Sequence, residues 1–163
     1  MPIADDLAQI AFQENTLQFQ SFTEEDAWSL GCRLRDASAR RHLPIVVEIR
    51  RCGHPIFFAA LAGSTPDNVE WARRKANVVA RFQRSSYGMG LELQQKNTTL
   101  FDRFGLTLGD YAAHGGSFPV RIPAAGVVGS VTVSGLPQRE DHEFVVEILC
   151  QHLGHSYEQM RLP

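Results

Sequence analysis

Cysteine is scarce in this chain: Cys32, Cys52 and Cys150 are the only three in 163 residues. They are odd in number, far apart and never spaced Cys-x-x-Cys, which argues against a disulfide framework and fits a reducing compartment. Long hydrophobic runs are missing as well. No segment approaches the roughly 20 apolar residues that cross a bilayer, so no membrane partner is expected. The first residues, "MPIADDLAQIAFQENTL", carry Asp5 and Asp6 where a secretory signal needs positive charge. The expected location is the cytoplasm. Neither sign of charge dominates, because 16 Lys plus Arg face 18 Asp plus Glu for a net charge of −2. That leaves no basic field to attract nucleic acid. The local arginine cluster (Arg33, Arg35, Arg40, Arg41, then Arg50 and Arg51) is interleaved with acids and reads as a solvated or interface face. Phosphate-loop and dinucleotide glycine signatures are absent, and no Ser or Cys has a nucleophile-elbow context.

What remains is an ordinary globular composition, 44% hydrophobic and 21% charged, which predicts a single domain over residues 1–163. A helix is expected from Asp5 to about Gln18. A second is expected in "FTEEDAWSLGCRLRDASARRH", where Thr23 caps the start and Glu24, Glu25 and Asp26 suit the positive end of the helix. Two strands follow, "LPIVVEIRR" and "HPIFFAAL", joined through Cys52-Gly53 as a hairpin. "GSTPDNVEW" opens the next helix with Thr65 as cap and Pro66 at its first position. "YGMGLELQQK" reads as a short helix, and one more turn is expected in the irregular stretch after it. Two further strands, "GSFPVRI" and "GVVGSVTVSG", precede a last helix from Pro137 to a cap at Gly154. The order α-α-β-β-α-(α)-β-β-α, with strands paired by hairpins, indicates an α+β fold: a mainly antiparallel sheet flanked by helices.

Two helices break their own pattern. In "EWARRKANVVARFQ", at about 100° per residue, Trp71, Ala72, Ala76, Val78, Val79 and Phe82 share one arc. Lys75 projects onto that apolar arc and not among the arginines. In the last helix, Asp141 and His142 project into an apolar arc in the same way, just after the "VSGLP" turn. A buried charge must be paired or lose its charge, so Lys75 is expected to meet a carboxylate, Asp141 being one candidate. Three roles stay open for it. They are an ion pair that fixes the register of helices or subunits, the polar floor of a ligand pocket, and a Schiff-base or general-base lysine.

"AAHGGSFPV" adds His114 and the backbone N–H groups of Gly115 and Gly116, either a turn or a cradle for a carboxylate or phosphate. "CQHLGH" and "CGH" contain zinc-type ligands, but no spacing matches a zinc module and no metal is expected.

The string W-A-R-R-K-x-x-V-V-x-R-F-x-x-S-S, from Trp71 to Ser86, resembles a known family. So does H-G-G-S-F-P-V…G-V-V-G-S-V-T-V-S-G-L-P-x-x-E-D-H, from His114 to His142. The chain is identified by these as similar to the GlcG/HbpS-like superfamily, or haem-degrading-type domain, in its small cytosolic branch of bacteria and fungi. The resemblance covers nearly the whole chain. It implies a profilin-like sheet and assembly into a homo-oligomer. It also carries over Lys75, His114, Gly115, Gly116, Ser134, Gly135, Asp141 and His142 as motif residues for a ligand site or interface. Some relatives bind haem; here no Cys-x-x-Cys-His attachment and no axial-ligand context accompanies the motifs, and the cofactor stays unassigned. The expected function is a homo-oligomeric domain that binds a small molecule, such as a small acidic metabolite, near Lys75 and the His114–Gly116 loop. The alternatives are an enzyme using Lys75 or His142 as acid or base on a small carboxylated substrate, and an assembly or adaptor protein with no ligand.

Overall fold

In the computed structural model of the chain, residues 2–163 are described. The elements are α1 (Ile3–Thr16), α2 (Glu24–Arg40), β1 (Val46–Arg51), β2 (His54–Ala60), α3 (Pro66–Phe82), α4 (Ser86–Gln95), α5 (Leu100–Phe104), β3 (Ser117–Ile122), β4 (Gly126–Ser134), α6 (Gln138–Leu153) and α7 (Tyr157–Met160). The fold is α+β, in the order expected, with α5 supplying the extra turn. The short α7 was not anticipated, because four residues carry too little periodicity to register.

Local chemistry accounts for the boundaries. At the start of α2, Thr23 Oγ1 accepts from the Asp26 N–H at 3.2 Å, and Asp26 Oδ2 accepts from the Thr23 N–H at 2.8 Å. At α3, Pro66 occupies the first turn and Asn68 Oδ1 accepts from the Thr65 N–H at 2.8 Å. Cys52 and Gly53, with φ of 50° and 76°, make the two-residue turn between β1 and β2. Gly154 ends α6 in the left-handed conformation at φ 79°.

The four strands form one antiparallel sheet in the order β2-β1-β4-β3. Its two faces differ in chemistry. Val47, Ile49, Phe118, Val120, Val131 and Val133 point to one side and form the main core with α2 and α6. Burying each such side chain contributes about 1.5–3 kcal/mol. The opposite face lies under α3 and carries Glu48, Ser117, Ser130, Thr132 and Ser134, all buried. Ser117 and Thr132 satisfy each other there, hydroxyl to hydroxyl at 2.7 Å. Helix α3 meets this polar face with alanines, Lys75 and Val79, and turns Val78 outward to a smaller cluster with Met89, Leu93, Leu100 and Leu106. Helix α1 packs on α4 and α7. Among the described residues, no helix is long and apolar enough to cross a membrane.

Candidate functional site

The polar face ends at Ser134, where β4 turns through Gly135 and Leu136 into α6. Lys75 and Asp141 meet at this turn. Lys75 Nζ donates to Asp141 Oδ2 at 2.9 Å and lies 3.4 Å from both the Val133 carbonyl oxygen and Ser134 Oγ. The other carboxylate oxygen of Asp141 accepts the Leu136 N–H at 3.1 Å. The pair forms within one chain, and its side chains are 4% and 1% exposed. Burial pushes the Lys75 ammonium below its ordinary value, against the pull of Asp141. Burial likewise pushes the Asp141 carboxyl up, against Lys75 and the backbone N–H groups of Leu136 and Gly135.

This pair is the floor of a cavity of about 240 Å³, lined by Asn68, Trp71, Lys75, His114, Ser134, Gly135, Leu136, Gln138 and Asp141. Trp71 and His114 stand edge to face with ring centroids 5.1 Å apart, and the Arg74 guanidinium lies 4.4 Å above the Trp71 ring. His114 is at the exposed rim. Partial burial, then the nearby Lys75 and Arg74 charges, hold its imidazolium below the ordinary histidine value.

Five of the eight sequence candidates (Lys75, His114, Ser134, Gly135, Asp141) therefore line one cavity. Gly115 and Gly116 sit directly behind it, and their role is close packing. A Cβ on Gly115 would fall 2.0 Å from the Gln138 carbonyl oxygen. One on Gly116, at φ 134°, would fall 2.4 Å from the Val133 carbonyl oxygen and 2.9 Å from Lys75 Nζ. The Gly115 N–H is already committed to Gln138 Oε1 at 3.2 Å.

His142 lies elsewhere. It is fully buried, with Nε2 2.8 Å from Gln13 Oε1 and its ring beside Tyr87 and Phe118. Gln13 in turn donates to the Met160 carbonyl oxygen at 2.6 Å. With both amide protons of Gln13 on nitrogen, the imidazole is the Nε2–H donor, and burial lowers its value to about 3. It ties α1, α6 and the C-terminal segment together.

Asn68, Trp71 and Gln138 were not among the candidates. A signal existed: Asn68, Trp71 and Lys75 fall on one helical stripe at steps of three and four residues. Trp71 also belongs to the apolar arc of α3, where packing alone accounts for it. Among the described residues, no three His, Cys, Asp or Glu side chains gather as a metal site.

Residues 22–149 match the family model described as haem degrading protein HbpS-like. A UPF0303 protein of Paraburkholderia phymatum is 57% identical over 162 residues, covering 99% of this chain and 98% of the relative. The crystal structure of Ybr137w protein superposes with a TM-score of 0.86 at 30% identity, covering 94% of this chain and 91% of that one. The crystal structure of a PduOC–haem complex shares the fold with a TM-score of 0.69 at 15% identity, covering 83% of this chain and 99% of that one. The chain belongs to the haem-degrading HbpS-like family, among its UPF0303 proteins.

Proposed function

We propose that this chain is a homo-oligomeric, small-molecule-binding domain of the cytoplasm, and that its ligand is a small acidic metabolite held in the Lys75 cavity. The carrying observation is that Lys75 and Asp141, although almost wholly buried, both line one cavity. Buried charge of that kind collects at binding sites. The unused donors around it are the Asn68 and Gln138 amide nitrogens, the Trp71 indole and His114, enough to orient one small polar molecule.

The haem of the PduOC structure belongs to that protein. The cavity here does not fit such a group. Its volume of about 240 Å³ falls below the roughly 300–1,000 Å³ typical of sites for drug-sized ligands. Its floor is an ion pair, and His114 is the single histidine on its wall.

Self-association is supported by large apolar side chains left in solvent, with Trp28, Phe101 and Leu108 each more than 60% exposed.

Thermal unfolding with a panel of small carboxylic acids tests the binding reading. A bound acid at about a hundred times its Kd raises the midpoint by roughly 5–10 °C, and His114→Ala at the rim abolishes the gain. If no acid moves the midpoint, the reading fails. Native mass spectrometry of the purified protein tests the assembly, and a monomer alone would refute it.

A further inference from the structure

The chain contains fourteen arginines and only two lysines, Lys75 and Lys96. Lys96 is an ordinary surface residue, 42% exposed and paired with Glu92 four residues earlier. Wherever this protein needs a solvated cation it uses arginine, with that one exception. The other lysine sits on the floor of the cavity. Arginine's charge is permanent, whereas a buried lysine can shed its proton and act as an amine.

The surroundings of Lys75 suit that change of state. Asp141 Oδ2, at 2.9 Å, is placed to take the proton, and Ser134 Oγ at 3.4 Å supports the nitrogen. The lack of side chains at Gly115 and Gly116 lets the backbone pack closely behind the pair, because a Cβ at Gly116 would press on Nζ itself. Desolvation disfavours both charges, moving Lys75 down and Asp141 up towards a shared proton.

From this geometry we infer that Lys75 captures a small aldehyde or ketone as a reversible imine, with Asp141 as the proton carrier. The inference rests on the binding reading above and makes it specific: the ligand bears a carbonyl as well as its acid group. In the reaction, Asp141 first takes a proton from the Lys75 ammonium. The amine nitrogen then attacks the carbonyl carbon; the C–N bond forms while the carbonyl π bond opens. Asp141 delivers its proton to the resulting oxygen, giving a carbinolamine. The second amine proton passes by the same carboxylate to the hydroxyl, the C–O bond breaks, and water leaves with the imine in place. Of the three ammonium protons two leave in water and one stays on the imine nitrogen, so Asp141 ends ionised as it began, and no oxidant or metal is consumed.

Reductive trapping on the intact wild-type protein tests this. The protein is incubated with pyruvate, or separately with propionaldehyde, in the presence of cyanoborohydride, then cleaved and mapped by mass spectrometry. The expected adduct is on Lys75, with Lys96 and the N-terminal amine modified more slowly. Asp141→Asn, checked for folding by circular dichroism, is expected to slow trapping at Lys75 about a hundredfold. Adducts confined to Lys96 and the N-terminus, with Lys75 untouched, overturn the inference. An unchanged Lys75 rate in folded Asp141→Asn overturns the role of Asp141. If acids stabilise the protein while Lys75 stays unmodified, the imine is refuted and the binding reading stands. If neither occurs, both fall.

Discussion

Lys75 Nζ on α3 and Asp141 Oδ2 on α6 lie 2.9 Å apart, although these helices pack on opposite faces of the sheet. The contact passes around the end of β4. Among the described residues it is the one ion pair with both side chains under 5% exposed.

Removing either partner leaves the other unpaired in a buried site. Lys75→Met alone or Asp141→Leu alone is expected to cost about 3–5 kcal/mol. The double variant Lys75→Met/Asp141→Leu should recover much of that loss, because two apolar groups need no partner. Urea denaturation of the four proteins measures the cycle; additive single losses would show that the pair is not coupled.

His142 gives a pH dependence whose sign is fixed by its burial. Its folded value is about 3 against an ordinary 6.5, so in the folded state the neutral ring persists. Above about pH 6.5 both folded and unfolded states are neutral there and nothing is lost. As pH falls from 6.5 towards 3, only the unfolded chain takes up the proton, and stability drops. The slope from this group is about 1.4 kcal/mol per pH unit. In His142→Gln the stability measured at pH 7, 6, 5 and 4 should fall less steeply than in wild type by that amount. Equal slopes would refute the assignment.

Gln13 bridges His142 and the Met160 carbonyl. Gln13→Leu leaves the His142 Nε2–H without an acceptor and is expected to cost about 1–3 kcal/mol. It also releases the C-terminal segment, so hydrogen exchange should quicken around residues 157–162. Unaltered exchange there would mean that the segment is held by Glu143, which bonds Tyr157 and the Leu162 N–H, without help from Gln13.

Gly116→Ala forces a Cβ against a backbone carbonyl and Lys75 Nζ at φ 134°. A loss of about 1–3 kcal/mol is expected, together with loss of ligand stabilisation. Gly126→Ala also has a positive φ, 85°, but meets nothing within 4 Å. It should be milder and leave binding intact, which separates backbone strain from crowding of the site.

Much of this architecture was legible in the sequence, because caps and alternation are local signals. Thr23, Pro66 and Gly154 mark helix ends by chemistry that needs no tertiary context. Lys75 and Asp141 were legible as two violations of helical patterning that needed each other. His142 shows the limit of that reasoning. It breaks the same arc as Asp141, yet adjacent helical residues diverge by about 100°. Asp141 reaches α3, while its neighbour turns to α1 and Gln13. The glycines stand out in the sequence only as motif residues of the resemblance: only the packed structure shows backbone carbonyls about 2.0–2.4 Å from where each Cβ would be. Trp71 and Asn68 stayed hidden because a tryptophan and a cap residue each have a sufficient local explanation.

The unequal faces of the sheet set where the molecule gives way first. Hydrocarbon interlocks α2 and α6 with one face, whereas α3 rests on hydroxyls that water can solvate. Opening free energy scales with apolar area exposed, so parting that seam is cheaper than global unfolding. Helix α3 should lift as a unit with α4 and α5, to which Val78 anchors it. The cavity of Lys75 lies on this seam. Parting the seam therefore also widens the way to the amine.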